Sequence, residues 1–494
     1  MKTANLILDP AFRVGPVRPR LFGSFVEHMG RCVYTGIYEP GHPDADADGL
    51  RQDVLALTRE MGVTVVRYPG GNFVSGYRWE DGVGPVEERP ARLDLAWQSL
   101  ETNAFGLHEF MTWADRAGVE PMMAVNLGTR GVQEAVDLLE YCNHPGGTAL
   151  SDRRVKNGRA EPYDIGLWCL GNEMDGPWQI GHKTAQEYGR LAQETGKAMK
   201  LVDPSIELVA CGSSNGHMPT FGSWEATVLE HCYDEADYIS LHAYYGQDGD
   251  LPSFLASAVD MDAFIEGVIA TADHVRAKLH RSKRIQLSFD EWNVWYTDSF
   301  DGGTWQQAPR MSEDLFNVAD AVVVGNLLIS LLRHADRIGV ACQAQLANIL
   351  APIRTEPGGP AWRQTIFHPF AHVAAYAKGD ALRVVLDTPR YETARYGDVP
   401  LVDAVATRDD EGITVFAVNR DVDEAVGLTL DPRALPPVRN AERIVLADAD
   451  RGAANTATAP GRVTPRRGEV PVRPGEPLLV ELPPVSWNVL RLTI

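Results

Sequence analysis

No run of about 18 apolar residues occurs anywhere in the 494-residue chain, so nothing in it reads as a membrane-spanning helix. The opening Met1-Lys2-Thr3-Ala4-Asn5 leads into a short mixed segment instead of the apolar stretch and cleavage site of a secretion signal. Cysteine is sparse: Cys32, Cys142, Cys169, Cys211, Cys232 and Cys342 are scattered without CxxC spacing. Two of them, Cys169 and Cys211, fall in apolar strand-like runs, where cysteine behaves as a small buried hydrophobe. These features predict free thiols in a cytoplasmic protein. Thirteen histidines include no HExxH or similar ligand spacing, so neither a catalytic metal nor another cofactor is expected. Asp44, Asp46 and Asp48 imitate the first half of a calcium loop, but Leu55 stands where the bidentate glutamate is required. Basic residues are also short, 46 against 67 acidic ones, for a net charge of −21. That excess argues against nucleic acid or an anionic membrane as partner and suits a neutral substrate such as a sugar.

What the chain does contain is an alternation of apolar strand-like runs with amphipathic helical ones. The strand candidates are Leu21–Glu27, Val63–Tyr68, Pro121–Asn126, Ile165–Leu170, Ile206–Cys211, Tyr238–His242, Ile285–Phe289 and Val340–Gln345. Helical stretches follow most of them, for example Thr184–Leu201 and Leu315–His334. Continuous apolar strands between helices indicate a parallel sheet covered on both faces. Eight such units predict an α/β fold, a (β/α)8 TIM barrel over residues 16–378. A doubly wound sheet is the alternative, but the GxGxxG turn that it would want is missing. Past Gly379 helical periodicity fades, and short strands such as Ile413–Val418 and Leu478–Leu482 alternate with Pro- and Gly-rich turns. Residues 379–494, with an N-terminal strand from 1–15, are expected to form an all-β, jelly-roll-like sandwich.

Active sites of such barrels lie at the C-terminal ends of the strands. Reading each strand to its end yields Glu27-His28, Arg67 to Asn72, Asn126, Asn172-Glu173, Ser213-Ser214-Asn215, His242 to Tyr244, Glu291-Trp292-Asn293, and Gln345 with Asn348. One polar strand end would mean only contact with solvent; polar residues at most of eight point to a site. Glu173 and Glu291 close strands four and seven among Asn and Trp residues. Sugar-bond cleavage needs such a pair, one carboxyl to protonate the leaving oxygen and one to act as base or nucleophile. Trp292, Trp295 and Trp305 cluster after strand seven, where tryptophan serves either as core or as a sugar-stacking surface.

Four strings carry a resemblance. Gly23-Ser24-Phe25-Val26-Glu27-His28, Arg67-Tyr68-Pro69-Gly70-Gly71-Asn72-Phe73, Gly171-Asn172-Glu173-Met174-Asp175-Gly176-Pro177-Trp178-Gln179 and Asp290-Glu291-Trp292-Asn293-Val294-Trp295-Tyr296 resemble the α-L-arabinofuranosidases of glycoside hydrolase family 51. The resemblance implies a retaining, exo-acting arabinofuranosidase with Glu173 as general acid/base and Glu291 as nucleophile. It implies substrate contacts for Glu27, Asn72, Asn172, Tyr244 and Gln345, and aromatic walls from Trp97 and Trp178, to which Trp295 is added. Arg67 and His242 are expected to orient the nucleophile. The implied substrates are arabinan- or arabinoxylan-derived oligosaccharides, and the implied assembly is a homo-oligomer such as a hexamer. A related retaining glycosidase (β-xylosidase or endoglucanase) and a non-catalytic sugar-binding protein are the competing readings.

Overall fold

The computed structural model describes residues 2–296, 304–431, 434, 435, 437–473 and 476–494. Eight strands close a barrel: β1 (Gly23–Phe25), β2 (Val65–Tyr68), β3 (Glu120–Ala124), β4 (Leu167–Leu170), β5 (Glu207–Ala210), β6 (Tyr238–Tyr245), β7 (Gln286–Val294) and β8 (Ile338–Ala344). Every neighbouring pair is parallel, and β8 returns to β1 through Cys342 opposite Gly23 and Ala344 opposite Phe25. Each strand lies on one of the eight apolar runs predicted from the sequence.

Strand periodicity of two decides what the barrel encloses. Val65, Met122, Ala124, Leu167, Cys169, Val209, Tyr238, Val340 and Cys342 form an interior cluster of their own. Two residues further along β2 from Val65 comes Arg67, and β6 continues from Tyr238 to His242 and Tyr244 on the same face. The register that fills the barrel with apolar side chains therefore carries polar ones to its mouth. The other faces of the strands pack under helices such as Gln52–Met61, Ala185–Val202 and Ala258–Lys278. Local signals start these helices; Thr184 caps Ala185–Val202 by accepting from Glu187 N–H, while the Glu187 carboxylate accepts from Thr184 N–H.

Among the described residues, six further strands pair as three two-stranded ribbons, and the other nine form one hydrogen-bonded sheet. Its N-terminal strand, Lys2–Pro16, pairs antiparallel with Asp380–Asp387 and parallel with Val426–Asp431. The sheet folds over a single core to which Leu6, Leu428 and Val480 contribute from one half and Ala404, Val415 and Leu490 from the other. Register shifts between Leu8 and Arg13 and between Arg13 and Gly15 mark bulges that bend the long strand. The helix Val318–Arg333 joins the two layers. It is apolar around nearly its whole circumference because it covers the barrel on one side and Val405, Phe416, Val418 and Trp487 of the sheet on the other. Polar contacts pin this interface: Asn326 donates to Asp403 at 2.7 Å, and Arg420 donates to Asn326 Oδ1 at 2.6 and 2.9 Å.

Candidate active site

Glu291 would be expected to share the barrel interior only with alternate residues of β7. The strand instead advances three residues, Ser288 to Glu291, while β6 advances two, Ser240 to His242, and a matching irregularity lies against β8. This β-bulge re-aims the chain so that the consecutive residues Asp290 and Glu291 both turn inward. Both meet Arg67, whose guanidinium is buried: Nη1 donates to Glu291 Oε1 at 2.6 Å, and Nε lies 3.7 Å from Asp290 Oδ2. Arg67 Nη2 donates to Asn172 Oδ1 at 2.7 Å, and Tyr244 donates its hydroxyl to Glu291 Oε2 at 2.8 Å. Glu291 is thereby held on both oxygens. Gly71 passes so close that a Cβ there would stand 2.7 Å from Glu291 Oε1. A glycine at this position lets the backbone approach the carboxylate.

His242 ties the two glutamates together. Its Nδ1 lies 2.9 Å from Glu173 Oε1 and 3.6 Å from Glu291 Oε2, while Nε2 lies 3.0 Å from Asp290 Oδ1. Burial opposes a charge on the imidazole, but Glu291, Asp290 and Glu173 outweigh it and push His242 up to about 10. Asp290 moves the other way: burial would raise it, and Arg67 and His242 hold it below the usual carboxylate range. The second oxygen of Glu173 accepts from Trp178 Nε1 at 2.6 Å, and the Trp178 ring is half exposed. Ligand atoms of Glu173, His242 and Glu291 lie within 4.8 Å of one another. These donors could in principle ligate a metal, but an imidazolium at His242 has no lone pair to offer one.

A third carboxyl, Glu27, ends β1. Its Oε1 accepts from Phe73 N–H at 2.9 Å and from Trp97 Nε1 at 3.0 Å, and its Oε2 from Gln345 Nε2 at 3.1 Å. Among the described residues no cation pairs with it, and burial, reinforced by the Glu291 charge, pushes it up to about 8. Asn72 accepts at 3.3 Å from Nδ2 of Asn172, which stands beside Glu173 in the chain. Thus Arg67, Asn72, Asn172, Glu173, His242, Tyr244 and Glu291 are joined in one network, while Glu27 and Gln345 form a second group that meets it through the chain step from Phe73 to Asn72. Trp97 stands beside Glu27 and Trp178 beside Glu173, while Trp295 meets Tyr244 edge to face at 5.2 Å. Trp292 is fully buried in the core.

Other polar strand ends bond to the scaffold around them. Asn126 accepts from Gly128 N–H and Thr129 N–H, Asn348 donates to Arg31 C=O, and His28 bridges Glu101 and Tyr68. Two members of the network were not expected from the sequence. Asp290 was passed over because simple alternation turns it away from Glu291, and Gln179 because nothing marks a lone glutamine; it lies 3.4 Å from Asn172 Nδ2.

Two carboxyls within reach of one glycosidic bond at the mouth of a (β/α)8 barrel define a glycoside hydrolase site. The families described as "Alpha-L-arabinofuranosidase 1 domain" and "Alpha-L-arabinofuranosidase C-terminal domain" match residues 57–279 and 290–486. The chain is 60% identical to the intracellular exo-α-(1→5)-L-arabinofuranosidase of Streptomyces lividans, over 99% of this chain and 75% of that one. It is 53% identical to the intracellular exo-α-(1→5)-L-arabinofuranosidase 1 of Bacillus subtilis (strain 168), over 100% and 99%. The solved family 51 α-L-arabinofuranosidase of Bifidobacterium longum superposes with a TM-score of 0.96 at 49% identity, covering all of both chains. The chain belongs to the family 51 α-L-arabinofuranosidases.

Proposed function

We propose that the protein is a retaining, exo-acting α-L-arabinofuranosidase that releases terminal non-reducing α-L-arabinofuranosyl residues from arabinan- or arabinoxylan-derived oligosaccharides. The observation that carries this reading is the approach of Glu173 and Glu291, whose oxygens come within 4.8 Å of each other. Retaining glycosidases hold their carboxyls about 5–5.5 Å apart, whereas inverting ones leave room for a water between them. In the first step a Glu291 oxygen attacks the anomeric carbon, the glycosidic C–O bond breaks, and the Glu173 proton passes to the leaving oxygen. In the second, Glu173 takes a proton from water as the water oxygen displaces Glu291, returning the free carboxylate and an arabinose of unchanged configuration.

The same reading gives Asn172 the sugar 2-hydroxyl and gives Glu27, Asn72 and Gln345 the others. Among the described residues Gln345 Oε1 is buried without a partner, as is Trp295 Nε1, which leaves an acceptor and a donor for sugar hydroxyls. A pocket closed by Glu27 and Asn72 would suit removal of one sugar at a time. We take 16–378 as the catalytic unit and 1–15 with 379–494 as the sandwich unit. A cytoplasmic setting rests on relatives named as intracellular, and a homo-oligomer on the family resemblance alone. Among the described residues no helix is long and apolar enough to cross a membrane.

A panel of nitrophenyl glycosides tests the assignment, with proton NMR following the first product formed. Rapid cleavage of the α-L-arabinofuranoside, with the α anomer appearing first, is expected. Faster turnover of the β-xyloside or of a cellobioside would move the protein to a related glycosidase, and the β anomer of arabinose first would make it inverting.

A further inference from the structure

Asp175 stands two residues after Glu173, in the loop leaving β4, and none of the steps above uses it. Its side chain is 9% exposed, and no cation pairs with it among the described residues. Both of its oxygens turn to the end of β5, each 3.2 Å from Ser214 N–H, and Oδ1 also accepts from the Ser214 hydroxyl. Burial pushes its carboxyl up to about 6, against the pull of these bonds.

The backbone that this contact anchors is uncommon. Glu173 has φ +44°, a left-handed conformation that side chains longer than Asn rarely adopt unless the surroundings impose it. A tight turn follows, in which Gly176 N–H donates to Glu173 C=O at 2.8 Å. A Cβ on Gly176 would meet the Trp178 indole at 2.6 Å, so the ring lies directly over the glycine. From there Trp178 returns its N–H to Glu173 Oε2. Beyond the turn, Lys183 N–H donates to Met174 C=O at 2.8 Å, and the Met174 side chain is fully buried. Between Glu173 and Trp178, Asp175 makes the only polar side-chain contact to a neighbouring barrel strand end, among the described residues, that does not itself involve Glu173.

We propose that Asp175, through Ser214, is a positioning residue for proton donation: it tethers the β4 loop to β5 and so holds Glu173 in its left-handed pose under Trp178. The inference rests on Glu173 being the proton donor. A tether of the donor has a signature that general stabilisation lacks. It matters in proportion to how much the leaving group needs a proton, because Glu291 hangs on β7 and the one sugar contact that shares β4, Asn172, is held by Arg67 and not by Asp175.

The test compares kcat/KM, which reports the first bond-breaking step, for a dinitrophenyl and a methyl α-L-arabinofuranoside in Asp175→Ala, Asp175→Asn, Ser214→Ala and Glu173→Ala. Displacing a catalytic group by about 1 Å costs up to about 100-fold, so Asp175→Ala should lose about 10- to 100-fold on the methyl glycoside and under about 3-fold on the dinitrophenyl one. Asp175→Asn keeps an acceptor for Ser214 and should recover most of the loss; Ser214→Ala, which keeps the backbone donor, should fall between. Inhibition by free arabinose should be unchanged in all three. Equal losses on both substrates, or none on either, would overturn the tether. If Glu173→Ala separates the two substrates and Asp175→Ala does not, the tether alone fails. If Glu173→Ala does not separate them, the donor assignment fails with it. Should Asp175→Ala not fold, Asp175→Asn and Ser214→Ala decide the matter by the same ratio.

Discussion

Glu291 and Glu27 stand in one pocket at nearly equal depth, 6% and 2% exposed, yet their surroundings differ in kind. Glu291 faces a guanidinium and a tyrosine hydroxyl, with an imidazolium close by. Glu27 receives three hydrogen bonds, all from neutral groups: a backbone amide, an indole and a carboxamide. A neutral donor shares its hydrogen with either form of a carboxyl, whereas a cation compensates only the anion. Burial alone therefore does not set what a carboxyl can do here; the partner does. The cation-paired group suits nucleophilic attack, and the group among neutral donors suits holding hydroxyls.

Removing the cation is the most drastic way to break this contrast. Arg67→Met would leave Asp290 and Glu291 buried with only His242 to balance them. Losing one partner of a buried pair costs about 3–5 kcal/mol, so the urea midpoint should fall sharply, and kcat/KM should drop by roughly 10²–10³-fold or more. An unchanged midpoint would mean that the pair does not carry the charge as described.

Gly71→Ala leaves every charge in place and moves only geometry. The added Cβ, 2.7 Å from Glu291 Oε1, must push the carboxylate aside. A displacement of that order costs about 10²-fold in rate, with little change in thermal midpoint because only the end of a side chain gives way. Parallel kcat and melting measurements check this; a variant as active as wild type would show that Glu291 has slack.

Glu27→Gln should give the smallest effect, visible in pH dependence. Glu27 is raised to about 8 from its ordinary 4.5, by burial first and the Glu291 charge second. A carboxyl raised on folding contributes stability that is fully present below about 4.5 and is lost as pH climbs through about 8. The wild-type minus variant difference in thermal midpoint should therefore shift against the wild type across that window. A flat difference would mean that Glu27 is already compensated by a partner.

Much of this arrangement is legible in the sequence because one rule governs it. The strand period that places Val65 inside the barrel also places Arg67 at its mouth, and Glu173 and Glu291 announce themselves by following buried runs. Asp290 escapes that rule through a bulge, which no residue type in Phe289-Asp290-Glu291-Trp292 foretells. Asn126 and Asn348 look like Asn172 in sequence yet bond to the surrounding loops, since a polar strand end carries no mark of whether its partner is ligand or backbone. In the sandwich, Arg466–Glu469 pairs with Asn440–Leu446 although it has no apolar residue to alternate; an exposed edge strand needs none.

The proposed roles give Glu291 the covalent bond to the sugar and Glu173 the proton. Glu173→Ala turned over with dinitrophenyl α-L-arabinofuranoside should form the glycosyl-enzyme readily and release it slowly, because the leaving group needs no acid but the attacking water lacks its base. Rapid acid quench, digestion and peptide mass mapping then locate the adduct. One anhydro-arabinose ester is expected on the peptide carrying Glu291; an ester on Glu27 or Asp290, or no adduct during steady turnover, would refute the proposed roles.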